Sequence, residues 1–105
     1  MFGNLGEMAG MMKKAKDIQK NLKNMKEEMA KAEFSGSCAG GKVEAVVSGD
    51  MIVKKVKIAS EVTSDAELLE DMVTAAVNTA INNAKNAAQE RMNEATGGLD
   101  IPGLF

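Results

Sequence analysis

The chain has 105 residues, which corresponds to one domain with a modest core. Its net charge is −2, and with one Cys and no His it lacks the usual general base, a Cys–His nucleophilic pair, an internal disulfide and a Cys/His zinc cluster. We therefore expect neither an enzyme nor a bound metal or other cofactor.

The compartment is predicted from three features. The start, MFGNLGEMAG, has no positive charge and no long apolar core, so it does not predict a secretory signal. No apolar run approaches the length of a membrane span. The lone Cys38 fits a reducing compartment. We expect a cytosolic protein.

The first predicted element is a helix from about Leu5 to Glu33, roughly 40 Å long. Asn4 and Glu7 have the spacing of an N-cap residue and its N3 partner. Apolar residues then recur in alternating steps of three and four, which indicates a narrow packing seam. This heptad seam consists of Met8, Met11, Ala15, Ile18, Leu22, Met25, Met29 and Ala32.

Short strands are predicted next. EFSGSCAGG (33–41) indicates a turn or a hairpin arm, and KVEAVVS (42–48) and MIVKKVKIA (51–59) alternate around a turn at 48–50. A third strand around 34–38 is expected, because an isolated hairpin is rarely stable. One apolar face comprises Val43, Ala45 and Val47. In the last strand we expect one face with Ile52, Val56 and Ile58, and another with Val53, Lys55 and Lys57.

A second long helix is predicted from about Asp65 to Ala95. Ser64 and Glu67 fit a capping box at its start, and Gly97-Gly98 would end it. The remaining residues to 105, LDIPGLF, are expected to form a flexible terminus or a small docking segment. The apolar stripe of this helix comprises Leu68, Leu69, Met72, Val73, Ala76, Val77, Ala80, Ile81, Ala84, Ala87, Ala88 and Met92.

The predicted fold is a single α+β domain (1–105) in the order α-β-β-β-α, with two long helices and a small antiparallel sheet. A compact domain of this size would be about 35 Å across, which is shorter than either helix. Because short strands leave part of the heptad seam uncovered, we predict a homodimer with protruding helices. The alternative is that the two helices pair only within one chain.

Three patterns that could suggest chemistry have simpler explanations. Residues 36–42, GSCAGGK, match a phosphate-binding loop, but Val43 and a strand follow where the motif needs Ser or Thr and a helix. Cys38 is interpreted as a small residue in that turn. Five acids near helix ends are interpreted as solvated or capping groups, namely Glu27, Glu28, Glu67, Glu70 and Asp71.

The lysines of the first helix form a row. Lys13 and Lys20 take heptad position f and Lys16 and Lys23 take position b, which point away from the seam over about 15 Å. Asp17 is the only acid among the six lysines from position 13 to position 26. This row favours an anionic partner, although an ordinary solvated face is the alternative.

Two further groups carry positive charge. Lys54, Lys55 and Lys57 lie on a predicted strand, and Lys85 and Arg91 lie late in the second helix. The narrow seam lacks Trp, which disfavours a membrane surface, and the chain has no Tyr or Trp for stacking bases. Any nucleic acid would be duplex and contacted mainly through phosphates.

Five features stand out along the chain: the initial MFG, a first helix rich in Met, Lys and Gln, the G-x-x-A-G-G-K-V-E-A pattern at 36–45, LLEDMVTAAVNTA at 68–80, and the terminal GGLDIPGLF. Together they resemble the YbaB/EbfC family of nucleoid-associated proteins over nearly the whole chain. The resemblance implies an α-β-β-β-α protomer in a tweezer-like homodimer. It also implies binding of double-stranded DNA without catalysis, in the cytoplasm and nucleoid of a bacterial-type cell.

The family's DNA contacts are attributed to its projecting helices. By resemblance this indicates Lys13, Lys16, Lys20 and Lys23, and more weakly Lys85 and Arg91; Lys54, Lys55 and Lys57 are added from their charge alone. Thr79 stands where the family often has an acid. The alternative function is a dimeric adaptor, whose Met-rich helices and GLF tail would dock another protein.

Overall fold

The computed structural model describes residues 2–97, with side chains from residue 6 onward. Its elements are α1 (Phe2–Lys31), β1 (Glu33–Cys38), β2 (Val43–Ser48), β3 (Val53–Ile58), a short 3₁₀ turn (Ser60–Val62) and α2 (Ala66–Thr96). The predicted order α-β-β-β-α is therefore confirmed. Apart from Gly97, the predicted tail 97–105 lies outside the described residues.

The start of α1 differs from the prediction. The helix already includes Phe2, so Asn4 and Glu7 lie within it and the predicted N-cap is wrong. At its other end, α1 stops at Lys31 because Glu33 pairs with Ser48 as the first residue of the sheet.

The three strands form an antiparallel sheet in the order β1-β2-β3. Residues 39–42 form the turn between β1 and β2, where Ala39, Gly40 and Gly41 all have positive φ. The segment that resembled a phosphate-binding loop is thus a hairpin, as predicted. Cys38 differs from the prediction, because it is the half-buried last residue of β1 and packs against the core.

A β-bulge changes the predicted faces of β3. Lys55 pairs with Val46, whereas Val53 pairs with Val47, so Lys54 is an extra residue. Cross-strand partners share a face, and Val53 therefore lies on the side of Val47 rather than with Lys55 and Lys57. The bulge therefore moves Val53 to the face of the sheet opposite to the one that the alternating sequence predicted for it. Ile52 precedes the strand, and its carbonyl accepts a hydrogen bond from the Ser48 amide.

The cap of α2 is one residue later than predicted. Asp65, not Ser64, is the N-cap, and its carboxylate accepts a hydrogen bond of 3.1 Å from the Leu68 amide. A charged carboxylate also suits the positive end of the helix dipole. Gly97 ends α2 in the left-handed conformation, with φ 64°, as predicted.

The core has two parts that α2 connects. The first half of α2 packs on β1 and β2, where Val43, Ala45 and Val47 are fully buried, as predicted, against Ala76, Ala80 and Ala84. The second half of α2 pairs with α1. Buried Met25 and Met29 contact Met92 and Ala95 there, and half-buried Phe34 contacts both parts.

The molecule is elongated, with extents of 75 × 20 × 18 Å and a radius of gyration of 20.2 Å. A compact chain of this length would have a radius of gyration near 13 Å. The length arises because α1 runs well past the end of α2. Residues 6–17, which we call the projecting arm, are all exposed. Neither long helix has, within the part of the chain described here, an apolar stretch suited to crossing a bilayer.

Candidate nucleic-acid interface

The predicted lysine row lies on the surface of α1. All four side chains are exposed: Lys13, Lys16, Lys20 and Lys23. By contrast, Met25 and Met29 of the heptad seam are 8% and 4% exposed. The seam therefore faces α2 over this half of the helix, and the row faces outward, as the heptad positions predict.

None of the four lysines of the row forms a salt bridge with another described side chain. The two salt bridges found between residues 6 and 97 are Lys42–Glu61 at 3.3 Å and Arg91–Glu28 at 2.8 Å, and neither includes a lysine of the row. The four ammonium groups are thus free to approach an anion. Half of the row extends along the projecting arm, which no other element among residues 2–97 covers.

Arg91 is differently placed. Its guanidinium donates a hydrogen bond to Glu28 across the contact between α1 and α2. It borders a shallow groove of about 260 Å³ that Glu94 also lines. The Glu28 carboxylate therefore competes with any phosphate for Arg91, and Glu94 adds a second acidic residue to the same groove. Lys85, the other candidate on α2, is exposed.

The lysines of β3 form a separate surface. Lys55 and Lys57 point to the side of the sheet opposite α2, and Lys57 lies beside Glu44. The β2–β3 turn meets α1 at Met29, and Lys13 is about 24 Å farther along that helix. The structure does not bring Lys13 and the β3 lysines together. β3 is also an edge strand, and lysines and bulges are common devices that protect such edges.

The sequence did not reveal an uncovered apolar surface beside β3. Val53, Val56 and Ile58 are 46%, 38% and 42% exposed, although they share the face of the sheet that α2 covers at β1 and β2. Asn83 of α2 bonds to the Ser35 carbonyl, which places that flank of α2 over β1. Val77 lies on the opposite flank, about 120° around the helix from Asn83, and so borders the open side.

No metal site is evident in the part of the chain described here. No group of three or more Cys, Asp or Glu side chains is arranged to hold an ion within residues 2–97. The arrangement offers exposed ammonium groups instead, which bind phosphate oxygens by charge.

Comparison with known proteins identifies the family. The sequence profile of the YbaB/EbfC DNA-binding family matches residues 4–99. This chain belongs to that family. Thr79 lies beside Gly36 of β1.

Similar proteins that are named nucleoid-associated proteins come from diverse bacteria. A nucleoid-associated protein of Xylella fastidiosa is 39% identical over 95% of this chain and 94% of its own length. One from Clostridium kluyveri is 39% identical over 99% of this chain and 93% of its own. A third, from Cyanothece, is 37% identical over 98% of this chain and 91% of its own length.

A solved structure shares the fold. The crystal structure of an uncharacterized Helicobacter pylori protein aligns with a TM-score of 0.62, over 69% of this chain and 86% of that protein. The two sequences are 15% identical, so this likeness concerns the architecture alone.

Proposed function

We propose that this protein is a nucleoid-associated protein that binds duplex DNA as a homodimer, mainly through phosphate contacts. It would organise the nucleoid or modulate gene expression. The family and the names of its bacterial relatives support DNA as the ligand. The observation that carries the proposal is the exposed row of four lysines on α1, half of it on the projecting arm.

The chemistry of the row suits phosphates better than base edges. A lysine ammonium is a flexible point charge, whereas base reading commonly relies on the rigid fork of Arg or the amides of Asn and Gln. Arg91, the one arginine of the chain, is paired with Glu28. We therefore expect weak sequence preference and strong salt dependence, because each neutralised phosphate releases counterions.

Self-association is supported by the open apolar surface of β3. A second copy that placed the same surface against Val53, Val56 and Ile58 would bury both in one symmetric interface. Such a dimer would carry two projecting arms. Two linked binding sites raise the overall affinity through effective concentration, even where each phosphate contact is weak.

The test compares two variants with equal charge. The row variant changes Lys13, Lys16, Lys20 and Lys23 to Gln. The control changes Lys14, Lys26, Lys31 and Lys42 to Gln, which removes the same charge from outside the row. Duplex affinity is measured at several salt concentrations, after circular dichroism confirms that both variants fold.

We expect the log–log salt slope of the row variant to become shallower by about 0.9 for each phosphate that is no longer neutralised, with a smaller change in the control. Equal changes in both variants would show that the row has no special role. If neither variant altered the affinity, the DNA-binding residues would have to lie elsewhere.

A further inference from the structure

The heptad seam is covered along only half of α1. Met25 and Met29 are buried against α2, but on the projecting arm Met8 is 59% exposed and Met11 is 71% exposed. Ala15 is exposed as well. The same apolar pattern thus continues beyond the point where its intramolecular partner stops.

The direction of α2 relative to α1 determines where the chain leaves the second helix. Glu28 bonds to Arg91, while Met25, nearer the start of α1, packs in one cluster with Met92 and Ala95. The two helices are therefore antiparallel, and α2 runs toward the projecting arm. Gly97 is six residues beyond Arg91, and Leu22 is six residues before Glu28. Because the helices are antiparallel, the end of α2 at Gly97 lies at about the level of Leu22. The chain leaves α2 at the place where the cover of the seam ends.

The following residues suit the uncovered seam in composition and length. Residues 98–105, GLDIPGLF, contain four large apolar side chains and no Lys or Arg. Eight extended residues reach about 26–29 Å. The stretch of α1 from Leu22 to Met8 is about 21 Å long, so the segment is long enough to follow it. Asp100 also complements Lys14, which flanks the seam at heptad position g.

We propose that residues 99–105 dock on the projecting arm of their own chain, across Met8, Met11 and Ala15. The segment continues the cover that α2 provides farther along the same seam. Docking holds the arm as a stiff helix and so fixes the spacing of the lysines on its opposite side. This proposal does not depend on DNA binding.

Engineered cysteines test the contact directly. In a chain with Cys38→Ser, Met11→Cys is combined with Leu104→Cys, and diamide is added as the oxidant. A disulfide needs the two Cβ atoms within about 4.5 Å. The matched control combines Lys13→Cys with Leu104→Cys, because Lys13 is on the opposite side of the same helix turn.

We expect the Met11 pair to form an intrachain disulfide many times faster than the Lys13 pair, seen as a faster monomer band on a non-reducing gel. Equal rates would overturn the proposal. A crosslink mainly between chains would also overturn it, since the segment would then dock on a second copy.

Hydrogen exchange provides a second readout without new cysteines. In a variant with Leu99, Ile101, Leu104 and Phe105 changed to Ser, amides of the projecting arm should exchange several-fold faster, while those around Ala80 stay unchanged. Unchanged exchange in the arm would contradict the proposal. Arm protection in the native chain that disappears on about 100-fold dilution would also contradict it, because intramolecular docking is independent of concentration.

Discussion

Gly36 of β1 lies so close to Ala76 of α2 that a β-carbon on Gly36 would be 2.4 Å from the Ala76 carbonyl oxygen. The same β-carbon would be 2.4 Å from the Ala80 amide nitrogen. Both neighbours are backbone atoms of a helix, which cannot rotate away. The close approach of the sheet to α2 therefore depends on a glycine at this position.

Gly36→Ala should consequently destabilise the fold. We expect the free energy of unfolding to fall by about 1–3 kcal/mol, because the helix must move away from the sheet. Urea unfolding at fixed protein concentration measures this. Gly10→Ala is the control, since a β-carbon there meets no atom within 4 Å and Ala favours helix by up to about 1 kcal/mol. Similar effects of the two substitutions would contradict the packing described.

The cap of α2 gives a second prediction. Asp65→Ala removes the side chain that accepts the Leu68 amide, and should lower the free energy of unfolding by about 1 kcal/mol. Ser64→Ala should change it much less, because Ser64 precedes the cap. A larger destabilisation from Ser64→Ala would restore the capping box that the sequence suggested.

The proposed dimer can be tested at Val56. Val56→Asp places a carboxylate on the uncovered surface of β3, whereas Lys55→Asp, with a larger change of net charge, places a carboxylate on the other face of the strand. In sedimentation we expect the native chain and Lys55→Asp at twice the chain mass of 11.1 kDa, and Val56→Asp nearer the single-chain mass. A native protein that sediments as one chain would refute the dimer.

The lysines of β3 have two possible roles that one variant separates. Because β3 is a bulged edge strand, changing Lys54, Lys55 and Lys57 to Gln should promote large aggregates, detected by light scattering. The duplex-binding salt slope of the soluble fraction is measured in parallel. An unaltered particle size together with a reduced slope would instead support the direct DNA contacts predicted from charge.

The helices and strands could be predicted from the sequence because an element that is buried on one face repeats its apolar residues with its own structural period. Val43, Ala45 and Val47 alternate strictly and are fully buried. The bulge at Lys54 could not be predicted in this way, since it depends on how β3 pairs with β2. The cap was predicted at Ser64 and lies at Asp65, because Ser and Asp are both favoured at an N-cap and a local pattern does not choose between adjacent candidates.

The candidate site was predictable where it depends on one helix. Heptad positions placed Lys13, Lys16, Lys20 and Lys23 away from the seam, and their exposure agrees with this. The pairing of Arg91 with Glu28 joins residues far apart in the chain, and no local pattern indicates it. The open surface of β3 was missed because it depends on where α2 crosses the sheet.

Phe34 touches both parts of the core, and its position has a consequence for how the molecule opens. On one side of Phe34, fully buried valines and alanines pack between α2 and a hydrogen-bonded sheet. On its other side, conformationally adaptable methionines pack between the two helices. We expect the helical hairpin to separate at lower free energy than the sheet unfolds. In a dimer, such partial opening would let the two arms change their separation and grip duplexes of different curvature.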